Sequence, residues 1–252
     1  MSAVLVIGGT DSSGGAGLSR DLATLEQFST RAVCAVTAVT AQSDRAVSAV
    51  HVIPADLVRS QIAAALATCT VRAIKIGMLA TRATVEAVAG SLPPRDRVPL
   101  VLDPVLAASS GAALLDPAGR SALRELLLKR TTILTPNIPE AAALLDRPAP
   151  QDDAELVSLG RALLALGPKA VLIKGGHAIG PEATDLLLQS DGPPQRLSGL
   201  RLSAALRGTG CALASAIAAA LAAGCDVREA CSRGKRHVTQ LFQQATERHS
   251  PT

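Results

Sequence analysis

Short apolar runs alternate with longer amphipathic stretches along this chain, and the alternation predicts strand and helix in turn. Ala3 to Ile7 is a β-branched-rich run that breaks into a glycine loop ending at Gly17, and a helical pattern follows from Leu18 to Phe28. Ala32 to Val39 reads as the next strand, ending in Thr40-Ala41-Gln42-Ser43, and Pro54 opens a helix through Leu66. Ala73 to Leu79 is again strand then glycine, with Thr81 capping a helix to about Ala89. Pro99 to Leu102 forms a strand that stops at Asp103-Pro104, and a helix is expected from Pro117 to about Lys129. Thr132 to Thr135 is a strand before a helix from Ala141 to Leu145. An amphipathic helix from Asp152 to Leu166 leads into the strand Lys169 to Ile173. Thr184 to Gln189 and Arg196 to Leu202 read as an edge hairpin around Asp191-Gly192. Helices from Cys211 to Ala223 and from Val227 to about Thr246 close the pattern.

Strand and helix in alternation predict an α/β fold, with a mainly parallel sheet and helices on both faces in three layers. Polar and glycine-rich signals fall repeatedly at strand C-termini, so the ligand cleft is expected along the carboxyl edge of that sheet. No internal linker interrupts the pattern, and residues 1–252 are read as one domain.

Composition narrows the chemistry. Aromatic residues are nearly absent, with two Phe and no Tyr or Trp, so the core must be Ala, Leu, Val and Ile. Stacking platforms for single-stranded nucleic acid are largely excluded. The net charge of +4 is scattered rather than gathered in a run, which suits small anionic ligands better than nucleic acid. Five cysteines, at 34, 69, 211, 225 and 231, include no C-x-x-C pair and read as reduced cytosolic thiols. No apolar stretch approaches the ~20 residues of a membrane span, and the N-terminus lacks signal-peptide features, so a cytoplasmic protein without membrane contact is expected.

The segment Gly208-Thr209-Gly210-Cys211 at a helix start is the richest signal. Two glycines let backbone approach a ligand, and the first helical N–H groups favour an anion such as a phosphate; a plain turn is the competing reading. The helix field is expected to lower the Cys211 thiol pKa. Asp103 at a strand end is a candidate metal or phosphate-site residue or, as Asp-Pro, a turn. Asn137 and Glu140 share one face at a helix start, where they either hold a hydrated cation against phosphates or form a capping box. Lys174, before Gly175-Gly176-His177, reaches phosphate or is a surface residue. A Walker P-loop is absent, and Arg20 occupies the third glycine position of a dinucleotide fingerprint.

Gly9-Thr10-Asp11-x-Ser13-Gly14-Gly15-Ala16-Gly17, Lys75-Ile76-Gly77-Met78-Leu79, Leu102-Asp103-Pro104-Val105, Thr135-Pro136-Asn137-x-Pro139-Glu140-Ala141, Lys174-Gly175-Gly176-His177 and Gly208-Thr209-Gly210-Cys211 occur in this order. Together they resemble the hydroxymethylpyrimidine/phosphomethylpyrimidine kinases of thiamine biosynthesis, whose fold is ribokinase-like. The resemblance implies a transferase that uses ATP and Mg²⁺. It would phosphorylate 4-amino-5-hydroxymethyl-2-methylpyrimidine to the monophosphate and then to the diphosphate. It places Gly9, Asp21, Gln42, Met78 and Val105 around the pyrimidine. Asp103, Asn137, Glu140, Lys174 and Thr209 fall on the nucleotide side, with Asp103 and Glu140 toward the metal, and Gly208, Gly210 and Cys211 form the catalytic anion hole. Cys211 is then either a thiolate base or a backbone N–H donor. The resemblance also implies a homodimer.

The chain departs from that pattern at Ser109, where a Lys is common, at Ser12, where a Pro is frequent, at Ala205-Leu206-Arg207 before the glycines, and in a short tail after Phe242. Arg207 is expected to restore a positive charge near the phosphates. A pyridoxal kinase and a non-catalytic pyrimidine-binding module are the competing functions.

Overall fold

The computed structural model describes residues 2–94, 96–175, 182–200 and 206–249. Nine strands form one sheet: β1 (Ser2–Asp11), β2 (Arg31–Gln42), β3 (Val47–Val52), β4 (Thr70–Ile76), β5 (Leu100–Leu102), β6 (Ile133–Leu134), β7 (Ala170–Ile173), β8 (Glu182–Gln189) and β9 (Gln195–Leu200). Their spatial order is β3-β2-β1-β4-β5-β6-β7-β8-β9. The run from β2 to β7 is parallel, while β3 and the β8–β9 hairpin pair antiparallel at the two edges. The chain moves one way from β1 to β2 and the other way to β4, so the order reverses between β1 and β4, where parallel α/β sheets open their crevice.

Eight helices follow: α1 (Gly17–Gln27), α2 (Ala55–Thr68), α3 (Arg82–Ser91), α4 (Pro117–Ala122), α5 (Ile138–Leu144), α6 (Asp153–Ala165), α7 (Thr209–Ala222) and α8 (Val227–His249). After α4 the rotation continues through a π turn, Leu123–Leu127, and a 3₁₀ turn, Leu128–Arg130, which accounts for the single long helix expected there. Thr81 caps α3 as expected, its hydroxyl accepting from the Thr84 N–H at 3.3 Å.

The alternation of side chains along β1 shows why these strands carry no polar face. Leu5 and Ile7 pack with Val58, Ile62 and Val88 on one side of the sheet. Val4 and Val6 pack with Leu18, Leu213 and Ile217 on the other. Both faces are covered, giving three layers as predicted. Helix α7 is buried along Ala212 to Leu221, and its alanines let it lie close under the sheet, bringing its N-terminus to the carboxyl edge.

Strand β3 is the element absent from the sequence expectation. Its residues are exposed or half-buried throughout, so it carries no apolar alternation. The second hairpin strand was expected to run to Leu202, but residues 201–205 lie outside the described residues, as do Gly176 and His177. Among the described residues, no helix is long and apolar enough to cross a membrane.

Candidate active site

A cleft of about 450 Å³ opens at the carboxyl edge and gathers groups from the ends of β1, β2, β4, β5, β6 and β7 and from the start of α7. Every residue singled out as a site candidate borders it: Gly9, Asp21, Gln42, Met78, Asp103, Val105, Asn137, Glu140, Lys174, Gly208, Thr209, Gly210 and Cys211.

Two glycine segments build the floor. Gly208 caps α7 at φ +71°, and a Cβ there would stand 2.3 Å from the Gly15 carbonyl oxygen and 2.9 Å from Ala16 Cα. Neither the left-handed backbone nor the contact tolerates a side chain. Because glycine offers no capping oxygen, the first N–H groups of α7 face the cleft without a side-chain cap. A Cβ on Gly210 would lie 3.2 Å from Lys174 Nζ and 3.7 Å from Asp103 Oδ2, so that turn faces the cationic end of the cleft. Gly208→Ala is expected to displace the turn and lower kcat about 100-fold, as a 1 Å misplacement does. Steady-state kinetics beside a melting curve would check it, and an unchanged kcat would show that the turn is not in the reaction.

At the cationic end, Lys174 Nζ donates to Asp103 Oδ1 at 2.7 Å and lies 3.7 Å from Glu140 Oε2. Burial works to lower the lysine pKa, but Asp103 and then Glu140 raise it above the usual lysine range, so Lys174 stays charged. Asn137 and Glu140 form the reciprocal capping box of α5. The Asn137 N–H donates to Glu140 Oε2 at 2.8 Å and the Glu140 N–H to Asn137 Oδ1 at 2.8 Å. The cap is therefore real, and the same pair borders the cleft. Burial raises the Glu140 carboxyl above its ordinary range, against the pull of Lys174. Among the described residues, no three acidic, histidine or cysteine side chains gather to cage a metal. The two carboxylates at Asp103 and Glu140 fit Mg²⁺ that arrives with phosphates, since that ion keeps waters and needs only one or two carboxylates from protein.

The opposite end is apolar. Met78 packs with Ala38, Leu114, Val105 and Ala108. Gly9 makes room for it, because a Cβ there would sit 2.8 Å from the Met78 sulfur. Gln42 stands at the rim, its Oε1 3.3 Å from Thr40 Oγ1, and its backbone is pinned by Ser12, whose hydroxyl donates to Gln42 O at 2.9 Å and accepts from Gln42 N at 2.8 Å.

Asp21 lies where it was expected, with added partners, and one expectation, for Cys211, needs correction. Asp21 borders the cleft, but its carboxylate is committed beneath it: Lys75 Nζ donates to both oxygens at 2.8 Å, and Ser215 Oγ donates at 2.8 Å. Asp21 thus holds Lys75 and α7 together at the edge of the cleft. Burial, opposed by Lys75, raises its carboxyl; Lys75 itself is held above the lysine range by Asp21, Cys211 and Asp103 despite its burial. The correction concerns Cys211. Burial pushes its thiol up to about 11, and Asp21 and Asp103 add to the rise, outweighing Lys75 and the Gly17 backbone. The direction is opposite to the lowering expected from the helix start.

Lys75 and the partners of Arg207 escaped the sequence reading. A lysine inside the apolar run Ala73-Ile74-Lys75-Ile76 was the available signal for the first. Arg207 was expected to restore a positive charge near the phosphates; it borders the cleft, and its guanidinium donates to Asp11 Oδ2 at 3.0 Å, Asp44 Oδ1 at 3.0 Å and Ser13 Oγ at 2.8 Å.

Known proteins resemble this chain over nearly its whole length. The phosphomethylpyrimidine kinase family model matches residues 11–251. The hydroxymethylpyrimidine/phosphomethylpyrimidine kinase of Rhizobium meliloti is 41% identical over 234 residues, covering 93% of this chain and 88% of the relative. The crystal structure of phosphomethylpyrimidine kinase from Clostridium difficile superposes with a TM-score of 0.82 at 33% identity, covering 96% of this chain and 99% of that one. The pyridoxal kinase of Bacillus subtilis, solved as an ADP complex, gives 0.85 at 30% identity, covering 94% and 89%. A glycine floor under α7, the Lys174–Asp103 pair and a match spanning nearly the whole sequence converge on one assignment: this chain belongs to the phosphomethylpyrimidine kinase family, on the ribokinase-like α/β fold.

Proposed function

We propose that this protein transfers the γ-phosphoryl group of ATP to the hydroxymethyl oxygen of 4-amino-5-hydroxymethyl-2-methylpyrimidine, and then a second phosphoryl group to the monophosphate. The observation that carries the reading is one cleft with a cationic, N–H-lined end and an apolar end rimmed by an amide. The acceptor ring lies against Met78 and Val105, with Gln42 able to donate to and accept from an aminopyrimidine edge. Thr209, Asn137 and Lys174 face the nucleotide phosphates. In the transfer, an acceptor oxygen forms the new P–O bond as the bond to the ADP oxygen breaks; the alcohol gives its proton to solvent or to a phosphate oxygen, whereas the monophosphate attacks through an already ionised oxygen. Lys174 and the N–H groups of Gly210 and Cys211 stabilise the charge on the moving group. Mg²⁺ bound with the nucleotide would be held by Asp103 and Glu140 and would neutralise phosphate charge.

Burial pushes the Cys211 thiol above its ordinary range, and a protonated thiol favours the backbone role over the base role. Cys211→Ala is therefore expected to keep kcat within about threefold, and wild-type kcat to show no rising limb between pH 7 and 9 that Cys211→Ala abolishes. A loss of about 100-fold in the alanine variant, rescued by Cys211→Asp, would restore the base.

The β2–β3 ribbon exposes Val39 on one face and Val50 on the other, apolar positions at a sheet edge that a second copy of the chain could cover; light scattering would register the dimer. All five cysteines are unpaired, consistent with a reducing cytoplasm. The function itself is tested by comparing kcat/KM for the pyrimidine alcohol and for pyridoxal with Mg-ATP. The account expects the pyrimidine to be preferred, and the reverse order would make this a pyridoxal kinase.

A further inference from the structure

Arg207 joins three separate segments at the mouth of the cleft. It precedes the α7 turn, bonds Asp11 and Ser13 at the end of β1, and reaches Asp44 in the turn between β2 and β3. The two carboxylates it meets are not equivalent. The Asp44 side chain is 85% exposed, so that pair lies in water and contributes little. The Asp11 side chain is 4% exposed and borders the cleft. Its Oδ1 accepts from the Ser13 N–H at 2.9 Å and the Ser13 hydroxyl at 2.8 Å, which leaves Oδ2 for the guanidinium. Asp11 is thus a carboxylate held in low-dielectric surroundings beside a site for phosphates, and the Arg207 guanidinium is the group that balances it.

We propose that Arg207 is a positioning residue that sets acceptor specificity by neutralising Asp11, which allows the cleft to admit an acceptor already carrying a phosphate. The inference rests on the two-step kinase reading. A neutral alcohol entering beside an unbalanced Asp11 meets no net repulsion, whereas a phosphomonoester brings up to two negative charges toward a buried third. Arg207 accordingly acts on the second transfer more than on the first. The phosphate need not touch the guanidinium, which already has three partners.

The test compares KM for the monophosphate with KM for the alcohol in the same preparation. Arg207→Ala is expected to raise that ratio about tenfold, equivalent to about 1.4 kcal/mol. Adding Asp11→Asn removes the uncompensated charge while keeping an oxygen for Ser13, and is expected to return the ratio to within about threefold of wild type. Arg207→Lys, which keeps the charge without the planar fork, is expected to stay near wild type and serves if the alanine variant folds poorly. An unchanged ratio in Arg207→Ala would overturn the proposal. A ratio still raised in the Arg207→Ala/Asp11→Asn variant would also overturn it, assigning Arg207 to direct contact with phosphate. Wild-type protein that phosphorylates neither acceptor would instead refute the kinase reading itself.

Discussion

Lys75→Met is expected to destabilise the protein by about 3–5 kcal/mol, because it removes one partner of a fully buried ion pair and leaves the other uncompensated. Lys75 and Asp21 are each 1% exposed at the side chain, and the nearest relief for Asp21 would be the single hydroxyl of Ser215. Against a typical total of about 5–15 kcal/mol, the loss is a large fraction of the whole. Urea titration would read it as a fall in midpoint at constant slope. The pair is expected to matter through its completeness rather than through a large net attraction, so Lys75→Met with Asp21→Leu should recover much of the loss. A loss under about 1 kcal/mol in the single variant would show that water or a proton reaches Asp21. The pair also ties β4 to α1 and, through Ser215, to α7, so activity should fall along with stability.

Lys174→Met is expected to lower kcat by about 10²–10³, the range for removing one preorganised donor to a developing charge. The lysine stands between Asp103 and Glu140, and its removal leaves two carboxylates facing an incoming triphosphate. KM for the alcohol acceptor should change much less, within about threefold, because the proposed function seats that ligand at the Met78, Val105 and Gln42 end. Initial rates across both substrates, with circular dichroism to confirm folding, separate the two parameters. A kcat within threefold of wild type would remove Lys174 from the transfer.

Much of the fold was legible because buried parallel strands leave a strong trace. Runs such as Val4 to Ile7 are apolar at every position, and each run ends in a glycine or polar break that marks the carboxyl edge. Strand β3 left no such trace: Val47–Val52 lies at an edge with little buried surface, so pairing with β2 decided its structure. The site was legible as positions but less so as partners. Asn137 and Glu140 are three apart in sequence, and their cap followed from spacing. The Lys75–Asp21 and Arg207–Asp11 pairs join residues 54 and 196 positions apart, and no local pattern announces such contacts. The Cys211 thiol went the other way from the sequence expectation for a related reason. Its helix start was visible in the sequence, while the burial and the two carboxylates that hold its proton depend on tertiary packing.

The most direct test of the central claim follows phosphorus through both transfers. Purified protein with Mg-ATP and the pyrimidine alcohol, monitored by ³¹P NMR, is predicted to give the monophosphate first and then the diphosphate, with one ADP per transfer. Pyrimidine binding without any phosphorylated product would contradict it and leave a ligand pocket with no transfer centre.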